Sequence, residues 1–312
     1  MDWTSSILAD LARLLQYAGA VVLFGTAVFN LVSLPRSGEA SASRQGWPKP
    51  LFLGAGIALL TGAIVSLLAQ SASMNGIPLS KLDAAAIKLV LVETQWGHAI
   101  VARMGLSVAA LAVTFAVRPS ASLFAGLATL GLVCLASFAF TGHGAADDGP
   151  GGVVHLVSDM SHSVAAGVWL GALAGFFLLL RQPAATAEPY RSALAKALAG
   201  FATTGTVAVT VLVASGLVNG YFLIGLAGLP KIFTSAYGEL LVLKLVLFMA
   251  MLALAATNRF RLTPALRRAA DATAQSQAIA GLRRSVILEA LAGLAILALV
   301  AVFGMLEPPS AM

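Results

Sequence analysis

Apolar runs long enough to cross a membrane recur along the whole chain, separated by short polar connections. A helix needs about 20 apolar residues to cross a ~30 Å hydrocarbon layer. Eight runs meet that length, over residues 8–34, 50–72, 97–117, 121–142, 153–180, 197–223, 238–258 and 285–306. Backbone polar groups in hydrocarbon must pair within the segment that crosses, so the runs predict helices. The expected fold is therefore all-α: a polytopic transmembrane helix bundle of about eight spans, forming a single integral membrane domain over residues 1–312. Between spans two and three, Ser80-Lys81-Leu82-Asp83 reads as a helix start with Ser80 as cap. The AAAIKLVLVETQW that follows is too short and too charged to span, which predicts an interfacial helix. The stretch NGYFLIGLAGLPKIFTSAYG between spans six and seven is also too short to cross, and no internal repeat is clear.

Composition agrees with the pattern. Hydrophobic residues make up 59% of 312 and charged residues 10%, with a mean hydropathy of +0.92. A soluble domain carries roughly 25% charged residues, so soluble globular folding is excluded. The net charge of +6 does not point to nucleic acid, because most of the Lys and Arg lie in alternate connections. These are Arg36, Arg44 and Lys49 after span one, Arg118 after span three, and Arg181, Arg191 and Lys196 after span five. After span seven come Arg259, Arg261, Arg267, Arg268, Arg283 and Arg284. The positive-inside rule makes those connections cytoplasmic and puts both termini on the outer, periplasmic side. The one cysteine, Cys134, lies in an apolar run, which leaves no disulfide framework and no CxxC metal motif. Met1-Asp2-Trp3 lacks the basic start of a secretory signal, so the first run is expected to stay as a membrane helix.

The four histidines carry the candidate chemistry. His98 opens span three, His143 ends span four, and His155 and His162 lie in the first half of span five. By the charge-derived orientation all four belong to the outer half of the membrane. At about 100° per residue, His155, Asp159 and His162 fall within about 60° of one another on the helix, with Trp169 two turns further in on the same line. Gly167, Gly171 and Gly175 lie on roughly the opposite side, a small-xxx-small face for another helix. Imidazoles joined by a carboxylate favour a transition-metal site, with Asp159 either a ligand or the partner that holds a ring tautomer. Two plainer readings stand beside it: headgroup contacts for His98 and His143, and a buried His162–Asp159 hydrogen bond that only stabilises the bundle.

Other polar or soft groups lie within spans. Lys244 and Glu239 read as a structural ion pair or as snorkelling side chains, and Ser215 with Asn219 as interhelical hydrogen-bonding groups. Glu289 lies near the inner end of span eight. Cys134, Met249 and Met251 offer sulfur to Cu(I) further in, although such residues are usually core.

These pieces resemble the copper resistance protein D family (CopD/PcoD). The resemblance runs over most of the chain from about residue 50, through ETQWGHAIVARMGL, TGHGAA, LVSDMSHSVAAGVWLGAL, ASGLVNGYFLIG, SAYGELLVLKLVLFMAMLALAATNRFRLTPAL and LRRSVILEALAGLAILALVAVFGMLEPP, in that order. The family's fifth span shows a His followed by Trp and Gly-Gly; here these are His162, Trp169 and Gly171, with Ala172 in place of the second Gly. The resemblance implies copper transport across the bacterial inner membrane, usually inward, beside a periplasmic copper-binding CopC-type protein. The chain ends at Met312, so such a partner is expected as a separate chain. On this reading the protein is not an enzyme; it binds copper at His155, Asp159 and His162, with His98 and His143 at the mouth of the site. No GxxxxGK[ST] loop for a nucleotide occurs. The alternative from another class is a haem b redox protein, with His98 and either His155 or His162 as axial ligands. A third is a copper sensor or dock that binds without transport.

Overall fold

The computed structural model describes residues 3–34, 48–142, 149–181 and 190–310. Within them ten α-helices run in chain order: α1 Trp3–Val32, α2 Lys49–Met74, α3 Ala84–Glu93, α4 Gln95–Ala116, α5 Ala121–Ala139, α6 Gly149–Arg181, α7 Tyr190–Ile224, α8 Ala236–Thr257, α9 Thr263–Arg268 and α10 Ala272–Phe303. Short 3₁₀ turns occupy Leu79–Lys81 and Leu229–Phe233, and a π turn at Asn258–Leu262 joins α8 to α9. Eight segments are long and apolar enough to cross a membrane: α1, α2, α4, α5, α6, α7, α8 with its continuation into α9, and α10. The eight predicted spans are thus present, and the chain is a multi-pass helical membrane protein.

Local chemistry sets where the helices begin. Asp83, Thr94, Ser120, Ser235 and Asp271 each have extended backbone and accept an N–H from the first turn of α3, α4, α5, α8 and α10 respectively. Such a cap satisfies a donor that the helix itself leaves unpaired. The short helix between spans two and three forms as expected, but Ser80 is not its cap. Ser80 lies in a 3₁₀ turn, Leu82 and Asp83 are extended, and Asp83 caps α3 through Ala86 N at 2.8 Å. Several long helices overrun their predicted spans. The largest overrun is α10, which starts at Ala272 rather than at 285, because Asp271 caps it there.

Two helices organise the bundle. α1 packs against α2, α5 and α6, while α6 also packs against α5, α7 and α10. α4 leans on α2, α3 and α5, and α10 on α8, α6 and α1. The α1–α6 crossing is close because both sides are glycine. A Cβ on Gly25 would run into the backbone of Gly167 and Gly171, and one on Gly171 into the backbone of Gly25. Thr26 Oγ1 donates to the Gly171 carbonyl at 3.1 Å across this contact, and Phe29 fills the space opposite Gly175. The predicted glycine face is therefore used against α1. It fixes the rotation of α6, so that the polar stripe of the same helix turns towards α7.

Candidate functional site

On that stripe, α6 and α7 meet residue by residue in an antiparallel polar seam. Ser158 Oγ donates to the Ser215 carbonyl at 3.0 Å. His162 Nδ1 lies 3.0 Å from Ser215 Oγ. Asn219 Nδ2 donates to Asp159 Oδ1 at 3.4 Å. One turn further out, the His155 ring stacks on Phe222 with centroids 4.7 Å apart and planes 4° from parallel. Ser215 and Asn219 thus do join two helices, and their partners are the residues singled out on α6. Gly216 leaves room for the imidazole: a Cβ there would sit 3.6 Å from His162 Cε1.

The seam assigns a tautomer to His162. The Ser215 hydroxyl has one proton, and its closest acceptor is the Val211 carbonyl at 2.5 Å. Oγ is then the acceptor towards His162, and Nδ1 carries the hydrogen. In a neutral ring the lone pair is left on Nε2, the form in which imidazole binds metals. Asp159 and His162 both lie within electrostatic reach of Lys244 on α8. Tyr237 of α8 and Tyr17 of α1 lie within such reach of Asp159 as well. Lys244 and Glu239 are five residues apart, about 140° around the helix. Glu239 faces outward, exposed, whereas Lys244 Nζ sits 5.6 Å from the Phe303 ring.

The remaining candidates are dispersed. His98 is exposed at the start of α4, with Nε2 3.0 Å from the Val92 carbonyl. His143 lies outside the described residues. His155 is buried, at 1% exposure, beneath Phe222. Among the described residues, no three His, Cys, Asp or Glu side chains gather into a group that could hold a metal ion. Cys134 is buried in α5 and Met251 in α8, but Met249 is 62% exposed on the outer surface of the bundle. Those sulfurs do not line one interior face.

Two further buried polar centres lie in the bundle: Arg103, which was not singled out from the sequence, and a pairing of Glu289 with Trp169, two residues named from the sequence but not joined there. Arg103 of α4 is 3% exposed. It donates to Ser137 Oγ and O at 2.8 Å each and to Thr141 Oγ1 at 2.6 Å, with its guanidinium 4.2 Å from the Phe138 ring centroid. Further along the α6 line, Trp169 Nε1 donates to Glu289 Oε1 at 2.7 Å, and Asn258 Nδ2 donates to Oε2 at 3.1 Å.

Family models match both halves of this architecture: "Copper resistance protein D-like, N-terminal domain" over residues 4–153, and "Copper resistance protein D" over residues 195–303. Over 298 residues the chain is 35% identical to copper resistance protein D of Pseudomonas syringae pv. tomato, covering 95% of each. The chain belongs to the copper resistance protein D family. The chain is also similar to copper transport protein CutJ of Bacillus subtilis, 29% identical over 95% of this chain but 52% of its own length, and to inner membrane protein YebZ of Escherichia coli, 29% identical over 43% of this chain and 44% of its own. No solved structure matches the chain. In this member of the family, the boundary between the two matched regions falls in α6 and the connection after it. α6 is the helix that carries both the glycine face and the polar seam.

Proposed function

We propose that the chain moves copper across the bacterial inner membrane from periplasm to cytoplasm, receiving the ion at the outer end of α6. The observation that carries this reading is the α6–α7 seam. His162 presents the Nε2 lone pair, held in that tautomer by Ser215, one turn from the Asp159 carboxylate. The family membership, and the copper in the printed names of two relatives, support copper as the ion in this reading. The name of the Escherichia coli relative supports the inner membrane.

In this reading copper is the cargo. A bare ion in hydrocarbon is prohibitively costly, so donors must replace its water. His162 Nε2 and Asp159 serve as the central donors, with His155 on the outer side of the same stripe. His98 and His143 stand at the mouth, and a separate periplasmic CopC-type protein is the supplier. An inside-negative potential favours entry by about 2.3 kcal/mol per charge per 100 mV, a driving force that needs no nucleotide. Orientation rests on the arginine-rich connections.

The test is copper influx into proteoliposomes holding the full chain, with the wild type compared to His162→Ala. Wild-type influx that collapses in the variant, with the variant still folded by circular dichroism, is the expected result. Equal influx in both would remove the site, and no influx in the wild type would remove transport.

A further inference from the structure

α7 and α8 are neighbours in sequence that barely pack: α7 rests on α6, whereas α8 rests on α10. They are also the least buried of the eight spans. Between them, at the arginine-rich end, lies a cavity of about 690 Å³ backed by α6. Its walls include Leu173, Phe176, Phe201, Val209, Leu252 and Ala255, so most of it is apolar. Its rim is formed by the π turn and α9, which bring Arg259, Arg267 and Arg268 to one opening. All three arginines are exposed. Arg259 also reaches across to α7, donating to Thr206 Oγ1 at 2.7 Å.

The charges around this opening are unequal. Among the described residues the only carboxylate lining it is Glu289, and both its oxygens already accept hydrogen bonds, from Trp169 and Asn258. Three guanidiniums at the rim therefore face one carboxylate at the floor. A cation gains little there, and a free anion gains nothing from the apolar walls. A molecule with an anionic head and a hydrocarbon tail satisfies both parts. The gap lies between the two least buried of the eight spans. We propose that the α7–α8 cleft binds one anionic glycerophospholipid, with its phosphate on Arg259, Arg267 and Arg268 and an acyl chain along Leu173, Phe176 and Val209. The guanidinium fork suits phosphate oxygens, and it retains its charge at any pH the membrane meets. The bound lipid would fill the gap between α7 and α8.

The test uses the full chain purified in detergent, with phosphatidylglycerol or phosphatidylcholine added back and retained lipid read by native mass spectrometry. The wild type should keep one phosphatidylglycerol and little phosphatidylcholine. In R267Q/R268Q, phosphatidylglycerol binding should weaken about 30-fold, since each surface arginine near an anionic lipid contributes about a factor of five. Ala255→Trp, which fills the apolar wall and leaves the arginines in place, should lose the same lipid. Equal retention of the two lipids by the wild type would overturn the proposal, as would undiminished phosphatidylglycerol binding in the double variant. Equal stabilisation by inorganic phosphate alone would also overturn it, since the site would then be for a free anion.

Discussion

Trp169 of α6 donates its indole N–H to Glu289 of α10 over 2.7 Å, two turns along the helix from His162. Glu289 is 2% exposed and takes a second hydrogen bond from Asn258, the first residue of the π turn. A buried carboxylate is tolerable only when its lone pairs are taken up. This knot therefore binds α6, α8 and α10 at one point.

Trp169→Phe keeps an aromatic side chain but removes the N–H donor together with part of the indole, leaving Glu289 with one partner fewer. The expected loss is about 1–3 kcal/mol, visible as a lower unfolding temperature in detergent. Glu289→Gln should be milder. Its amide oxygen still accepts from Trp169, and Asn258 Oδ1, which lacks a partner among the described residues, can turn to accept from the new amide. A larger loss for Glu289→Gln than for Trp169→Phe would mean that the charge, not the hydrogen bonds, matters there.

Ser215→Ala separates the two jobs of that residue. The backbone carbonyl that accepts from Ser158 is kept, while the hydroxyl that accepts from His162 Nδ1 is lost. The ring then loses the side-chain partner that favours one tautomer. Removing such a support typically costs 10–100-fold in metal affinity, so copper titration of the purified variant should show a loss of about tenfold or more with an unchanged melting temperature. Ser215→Thr keeps the hydroxyl and should bind as the wild type does.

The eight spans were legible because hydrocarbon thickness converts directly into run length. The glycine face of α6 was legible for a similar reason, since a four-residue spacing fixes which side it occupies. What that face meets was not legible. Pairing of Ser158 and His162 with Ser215, and of His155 with Phe222, depends on the rotation of α7 against α6, and no single helix encodes that. Arg103 escaped notice because counting charges by connection gives no weight to a cation inside a span. The early start of α10 was signalled by Asp271, a capping residue just ahead of a helix-favouring stretch, but polarity hid it. The dispersal of the histidines follows from topology: α4 packs on α2, α3 and α5 and α6 on α1, α5, α7 and α10, so α5 stands between them.

Gly171 tests the crossing on which the seam depends. A methyl at this position collides with the Gly25 backbone, which cannot swing away as a side chain does. Gly171→Ala should therefore cost about 1–3 kcal/mol as overpacking and weaken copper binding by turning α6. Gly54→Ala is the control, because nothing lies within 4 Å of its added Cβ. It should melt as the wild type does.

Lys244 bears on how the seam would treat a cation. It sits within electrostatic reach of Asp159 and of His162, so it balances the carboxylate and opposes any ion that takes its place. Removing a positive charge near the donors favours the ion. At protein-like effective dielectrics, charges a few ångströms apart interact by a few kcal/mol, which side-chain motion and water reduce. Lys244→Met should thus tighten copper binding on the order of tenfold, while Lys244→Arg, which keeps the charge, should stay near wild type. The measurement is an equilibrium copper titration of the three proteins in the same detergent. Weaker binding in Lys244→Met would reverse the role: Lys244 would then hold Asp159 in position for the metal, and the lysine would be a support of the site rather than a competitor for it.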